Sequence, residues 1–165
     1  MEYTIIKKML QIRKYTIKSE DDTYIKAIDK NNNKLLAIFS KYDKLNIDIM
    51  KFYLKIINDL DYNHVIIIYK NGITASAKKI IKNLFNIRIE YFSKDILQFD
   101  ITEHRLVSPH IKIEGKEEEI IRKKYGDKLS IILLTDPQVK FHGFCKNDII
   151  RIERNNGTIF YRIVK

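Results

Sequence analysis

The stretch HVIIIYKNGITASAKK, residues 64–79, decides the fold. His64–Tyr69 is a short apolar run dominated by β-branched residues, the composition of a strand covered on both faces. Asn71-Gly72 turns the chain. Thr74 then caps a helix in which Ala77, Ile80, Ile81, Leu84 and Phe85 share one face and Lys78, Lys79 and Lys82 the other. Residues 87–92 follow as a second strand. Strand, helix and strand in this order define an α/β layer.

Working outward toward the N-terminus, Ile5, Met9 and Ile12 recur at helical spacing with Ile6 and Leu10 beside them, which predicts a helix over 3–17. Residues 23–29 and 34–40 are β-prone runs around Asn31-Asn32-Asn33, the pattern of a hairpin. Asn46 can cap a helix running to about Leu60, with Ile47, Met50, Leu54 and Ile57 buried and Lys51, Lys55 and Asn58 facing out. Residues 1–98 therefore read as one α/β domain.

Residues 99–165 read as a second, smaller, β-rich α+β domain. Residues 117–125 form a helix with Glu117, Glu118 and Glu119 in its first turn and Arg122, Lys123 and Lys124 in its last, which suits the helix dipole. Gly126 suits the position just beyond it. Asp136-Pro137 opens a turn or short helix that Gly143 closes. Residues 149–154 and 158–164 are strands joined through Asn155-Asn156-Gly157, a strong hairpin signal.

The 165 residues carry 31 Lys+Arg against 21 Asp+Glu, a net charge of +10. Such a surplus favours polyanionic partners. It is uneven: residues 1–99 hold 18 basic and 11 acidic side chains, residues 100–165 hold 13 and 10. The one cysteine, Cys145, allows no internal disulfide and fits a reducing compartment. The first residues lack the pattern of a secretion signal, and the longest apolar runs are far too short to cross a bilayer. A soluble intracellular protein without a membrane partner is expected.

No Gly-x-Ser-x-Gly, Gly-x-Gly-x-x-Gly or Walker-type sequence is present, and five glycines leave little for phosphate-cradling loops. His104, His110, His142 and Cys145 could in principle form a zinc site, though one cysteine with scattered histidines is a weak signal. The bland reading is a structural thiol with hydrogen-bonded or exposed imidazoles. Asp100 with Glu114-Gly115-Lys116 matches the letters of a magnesium-nuclease pattern, but at a loop-to-helix junction rather than on paired strands. The lysine face of the helix beginning at Thr74 is more telling. The free N–H groups of its first turn face whatever lies ahead, and a phosphate there would meet both N–H donors and lysines.

Three blocks resemble one family. They are residues 64–78, ITEHRLVSPH at 101–110, and DPQVKFHG at 136–143 through Tyr161-Arg162. In order and spacing they are similar to the fifth subunit shared by the eukaryotic nuclear RNA polymerases I, II and III. The C-terminal part is also similar to the corresponding small subunit of archaeal RNA polymerase. The resemblance implies an N-terminal jaw domain, nuclease-like in shape but without a catalytic site, that contacts downstream double-stranded DNA. It also implies a C-terminal assembly domain that docks on the largest polymerase subunit. No catalytic residue, cofactor or metal of its own is expected.

The family's jaw loop, Thr-Pro-Ser-Ala, falls on Thr74, Ala75, Ser76 and Ala77, which with Lys78, Lys79 and Lys82 gives the expected DNA contacts. Its C-terminal motifs fall on Thr102, Glu103, His104, Leu106, Val107, Pro109 and His110, then on Asp136, Pro137, Lys140, Phe141 and Gly143, with Tyr161 and Arg162 closing the set. Most of these residues would shape the docking domain rather than touch a ligand. This chain departs from the pattern in several places. Ala75 replaces the loop proline, Pro109 stands one place late, Asn147 replaces a glycine, and the last hairpin lacks a Ser-x-Thr before its glycine. Such a divergent two-domain member points to a eukaryotic source or a large DNA virus. It implies the nucleus in a cell, and the virion or cytoplasmic viral factory for a virus. The alternatives are a magnesium-dependent nuclease built on Asp100, Glu114 and Lys116, and a stand-alone basic nucleic-acid adaptor.

Overall fold

His64–Tyr69 forms β5, and its Val65, Ile66, Ile67 and Ile68 are all fully shielded from solvent. The computed structural model describes residues 2–165 and divides into two units, Met1–Phe99 and Asp100–Lys165.

In the first unit β5 pairs in parallel with β3 (Lys34–Phe39) and with β7 (Arg88–Ser93). Beyond β3 lie β2 (Tyr24–Ile28) and β1 (Thr16–Glu20), both antiparallel, giving the order β1-β2-β3-β5-β7. Alternation along the strands sorts the apolar side chains onto two faces. Leu36, Ile38, Val65 and Ile67 form one cluster with Met50, Tyr53 and Ile57 of α2 (Ile47–Asp59) and Ala77 of α3 (Ala75–Lys82). The intervening side chains face α1 (Glu2–Ile12), where the rings of Tyr3 and Phe39 lie 4.9 Å apart. A two-residue parallel bridge, β4 (Lys44–Leu45) with β6 (Gly72–Ile73), ties the approach to α2 to the approach to α3.

The first helix is shorter than the 3–17 expected from periodicity. Lys14 adopts φ +62°, which a right-handed helix cannot continue through, and the chain enters β1 at Thr16. In α2, Tyr53 rather than Leu54 takes the buried place, and its hydroxyl donates to Ser40 Oγ at 3.1 Å. Ile47, expected inside, is 38% exposed. Helix α3 stops at Lys82, which leaves Phe85 96% exposed instead of on its apolar face. Asn46 caps α2 as expected, with Oδ1 accepting from Ile49 N at 2.9 Å.

At the start of β5 and β7 a polar cluster is set into the apolar unit. Both guanidinium Nη atoms of Arg13 reach the Glu90 carboxylate, at 3.0 and 2.8 Å. His64 Nε2 lies 2.7 Å from Glu90 Oε1 and Tyr15 Oη 3.1 Å from His64 Nδ1. A carboxylate only accepts, so His64 Nε2 is the donor to Glu90, and in the neutral ring Nδ1 is the acceptor for the Tyr15 hydroxyl. Burial alone would raise the Glu90 pKa. The His64 hydrogen bond and the Arg13 charge outweigh it and hold the group well below the usual carboxylate range.

The second unit is a four-stranded sheet in the order β8 (His110–Lys112), β10 (Ile149–Glu153), β11 (Ile159–Val164), β9 (Ser130–Ile132). β9 joins in parallel and the other pairs are antiparallel. Adjacent Ile149 and Ile150 point to opposite faces. Ile149 packs with Ile113, Leu129 and Ile121 of α4 (Lys116–Tyr125), and Ile150 with Ile132, Val164 and Val139 of α5 (Pro137–His142). Asn147, where a glycine was expected from the resemblance, holds φ +73°, a conformation asparagine tolerates. No described helix is long and apolar enough to cross a membrane.

Candidate nucleic-acid interface and docking groove

Two places collect the residues singled out in the sequence, one in each unit. In the first, Thr74 Oγ1 accepts from Ala77 N at 3.2 Å and fixes the start of α3. The approach is held from behind, with Thr74 N donating to Leu45 O at 2.9 Å and Asn71 N to Asp43 O at 2.7 Å. Ala75, Ser76, Lys78, Lys79 and Lys82 are all exposed, while Ala77 is fully buried against the sheet. One face of α3 is therefore anchored, and three lysines and the first-turn N–H groups project away from it. No carboxylate lies within α3 itself. The arrangement can hold an anion by charge and backbone donors, without reading its chemistry further.

In the second unit, Asp136 caps α5. Its Oδ1 accepts from Gln138 N at 2.8 Å and Val139 N at 3.4 Å, with Pro137 in the first helical turn. Gly143 ends the helix at φ +69°, ψ 29°, the left-handed conformation in which glycine carries no side-chain penalty. This short helix borders a groove of about 280 Å³. Of the residues on which the C-terminal motifs fall, Leu106, Val107, His110, Asp136 and Arg162 line it. Leu106 is 77% exposed at its rim, and His110 Nδ1 donates to Ser108 O at 2.7 Å.

The other expected residues lie elsewhere. Glu103, His104, Pro109 and Pro137 are exposed but do not line the groove, and Lys140 is half-buried. Phe141 is 2% exposed and belongs to the interior. Tyr161 is on the α4 face, where its hydroxyl donates to Glu117 Oε1 at 3.4 Å beside Arg151.

Several groove residues escaped the sequence reading. Gln138 is 8% exposed; its Nε2 donates to Ile101 O at 3.0 Å, while its buried Oε1 has no hydrogen-bond partner. Arg154 lies over the Phe160 ring at 4.4 Å. Ile152 and Phe160 are paired across the hairpin, so the register around Asn156-Gly157 was the signal that could have placed them together.

The residues weighed for metal chemistry are engaged locally. His142 stacks on Phe144, the ring centroids 5.0 Å apart, and its Nδ1 donates to Gln138 O at 2.9 Å. His104 Nδ1 accepts from Leu106 N at 3.3 Å. Asp100 Oδ1 accepts from Thr102, and Glu114 pairs with Lys112 at 3.2 Å. Among the described residues no three His, Cys, Asp or Glu side chains gather into a metal-binding group.

Comparison with known proteins covers both units. The family model described as "RNA polymerase Rpb5, C-terminal domain" matches residues 99–164. A protein of Invertebrate iridescent virus 6, named as a candidate DNA-directed RNA polymerase subunit, is 30% identical over 181 residues, 99% of this chain and 97% of its own length. The subunit rpabc1 of DNA-directed RNA polymerases I, II and III from Dictyostelium discoideum is 26% identical, over 90% of this chain and 76% of its own. The equivalent subunit of Caenorhabditis elegans is 28% identical, over 82% and 68%.

Proposed function

The chain belongs to the Rpb5 family of DNA-directed RNA polymerase subunits, and from that premise we propose that it serves as a non-catalytic subunit whose two units have different tasks. The Asp100–Lys165 unit docks on the largest subunit of the enzyme and helps the complex assemble. The Met1–Phe99 unit acts as a jaw, offering α3 and its lysines to the downstream duplex. Bond-making chemistry belongs to the other subunits, and the chain works wherever that polymerase does, in a nucleus or in a viral particle or factory.

The observation that carries this reading is similarity running through both units to proteins named as polymerase subunits. The geometry adds support at each end. The exposed lysines of α3 suit phosphates of any sequence, because backbone contacts position a protein without reading bases. The groove beside α5 sets the apolar Leu106 and Phe160 beside the charged Arg154 and Arg162, a surface that suits a protein partner.

An affinity-tagged copy, expressed alongside the native polymerase, tests it. The large polymerase subunits should co-purify with it. Leu106→Asp combined with Arg162→Glu should release them while circular dichroism of the pure chain stays unchanged. A wild-type tag that brings down no large polymerase subunit refutes the assignment.

A further inference from the structure

The α2/α3 side of the five-stranded sheet is only partly roofed. Helices α2 and α3 cover the strands from β3 to β7, while Tyr24 and Lys26 of β2 lie on the same face at its margin, Tyr24 packed against the edge of the core. Between them and α2 runs a groove of about 460 Å³. Its floor is Tyr24, Leu36 and Ile38, and its wall is a second apolar stripe on α2: Phe52, Ile56 and Leu60. These three recur at four-residue spacing along one flank of the helix and its C-cap, beside the core stripe of Met50, Tyr53 and Ile57, with Ile56 touching the core and Tyr53 also lining the groove. Phe52 is 51% exposed and Leu60 42% exposed, and Tyr42, 45% exposed, closes one end.

A helix normally buries one apolar stripe, and α2 has two. The second stripe borders the place where the next helix of the layer would lie, since packed helix axes stand roughly 8–10 Å apart. It runs over two turns, about 12 Å at the usual rise. The lining carries two charged side chains, Lys26 and Lys41, and no carboxylate. Lys26 extends over the Tyr24 ring, with Nζ 5.0 Å from its centroid, so an apolar stem covers the floor and the charge reaches the edge.

We propose that this groove is a docking site for an acidic amphipathic α-helix of a partner protein. The partner helix completes the roof over β2. Its apolar residues, at i, i+4 and i+7, seat between Phe52–Ile56–Leu60 and the sheet. Its carboxylates meet Lys26 and Lys41. The site is separate from the α3 lysines and from the groove of the second unit, and it does not depend on the chain's place in a polymerase.

Selection of a phage-displayed library of helical peptides on the full-length chain tests this, with anisotropy of the labelled winners as the readout. The expected winners are net negative and apolar at helical spacing. Phe52→Asp should weaken them at least about tenfold, as removal of a central anchor does. Lys26→Glu with Lys41→Glu should do the same, and should restore binding of a peptide whose acidic residues are replaced by lysine. Both charge reversals sit at the rim, so this second variant keeps its core. Phe85→Asp, far more exposed and off the groove, should leave binding unchanged. Winners that are basic or lack helical periodicity overturn the proposal, as does binding indifferent to Phe52→Asp. Two rival occupants are also decided: a short oligothymidylate displacing the peptides marks a nucleic-acid surface, and self-association abolished by Phe52→Asp marks an interface between two copies.

Discussion

Arg13 and Glu90, 77 residues apart, join through two parallel hydrogen bonds of 3.0 and 2.8 Å, and so clamp the end of the first helix to the last strand of its sheet. The Arg13 side chain is 4% exposed and that of Glu90 14%. Glu90 is the shared acceptor, since His64 Nε2 at 2.7 Å and Arg88 Nη2 at 3.1 Å also reach it, and taking a buried pair's acceptor away costs roughly 3–5 kcal/mol. Glu90→Met should destabilise the chain on that scale in urea titrations, and Arg13→Met by less, because Arg88 and His64 still reach the carboxylate. The double substitution should cost less than the two single losses added, because both losses contain the same broken pair. Strict additivity would show that the pair is not coupled.

The same carboxylate gives the first unit an acid limit. The folded-state pKa of Glu90 is lowered, so the stability it contributes is fully present above the unfolded value, about 4.3, and is lost as pH falls below it. Denaturation midpoints of the wild type should fall as pH drops below about 4.3, the unfolded reference value. Glu90→Gln, less stable at neutral pH, should show a shallower acid slope. Parallel slopes would move the acid sensitivity to other carboxylates.

The Thr74 hydroxyl fixes the start of α3 through one bond to Ala77 N. Thr74→Ala should cost about 1 kcal/mol, and Thr74→Ser should recover most of it. On the proposed jaw role, Thr74→Ala should also weaken duplex binding, because the frayed first turn no longer holds its N–H groups together.

If α3 touches phosphates, salt dependence will reveal it. Replacing Lys78, Lys79 and Lys82 by Gln should lower the slope of log affinity against log salt by up to about 0.9 for each lysine in contact, equally for unrelated sequences. An unchanged slope would take the duplex away from this face.

Helix α5 hangs on its two ends. Asp136→Ala removes the acceptor of two N–H groups and should cost about 1 kcal/mol. Gly143 stands at φ +69°, so Gly143→Ala should cost about 1 kcal/mol or more and Gly143→Asn less. Both losses should appear in the second unit's amide exchange and leave β5 protection unaltered.

The sequence was most readable where structure is set within a few residues. Asn46, Thr74 and Asp136 each bond an N–H two or three positions on, and each opens the helix expected of it. His64–Tyr69 is buried through its four central residues, as its apolar β-branched run requires. It was least readable where distant partners decide. His110–Lys112 and Ser130–Ile132 are three-residue strands that exist only through β10 and β11. Thr16–Glu20 was hidden because the helical pattern before it runs on past Lys14, where a single positive φ breaks it. Tyr53 takes the fully buried place, its hydroxyl donating to Ser40, and Leu54 stays partly buried against the same core. Of the candidate sites, the cap and lysines of α3 lie within one short stretch and could be read directly. The groove beside α5 draws on five segments, and Gln138 could not be told from a surface glutamine until Ile101 met it.

The strand order of the second sheet has a bearing on how the chain matures. β9 pairs only with β11, and β10 lies between β8 and β11, so the last of these strands to leave the ribosome is an inner one. Until it emerges, β9 has nothing to pair with, and the Ile149 and Ile150 layers lack their flank. The first unit has every strand it needs much earlier. Synthesis would therefore finish one half while the other still waits. A nascent polypeptide interrupted before residue 159 would carry a completed first half and, on the proposed division of tasks, nothing with which to join a complex.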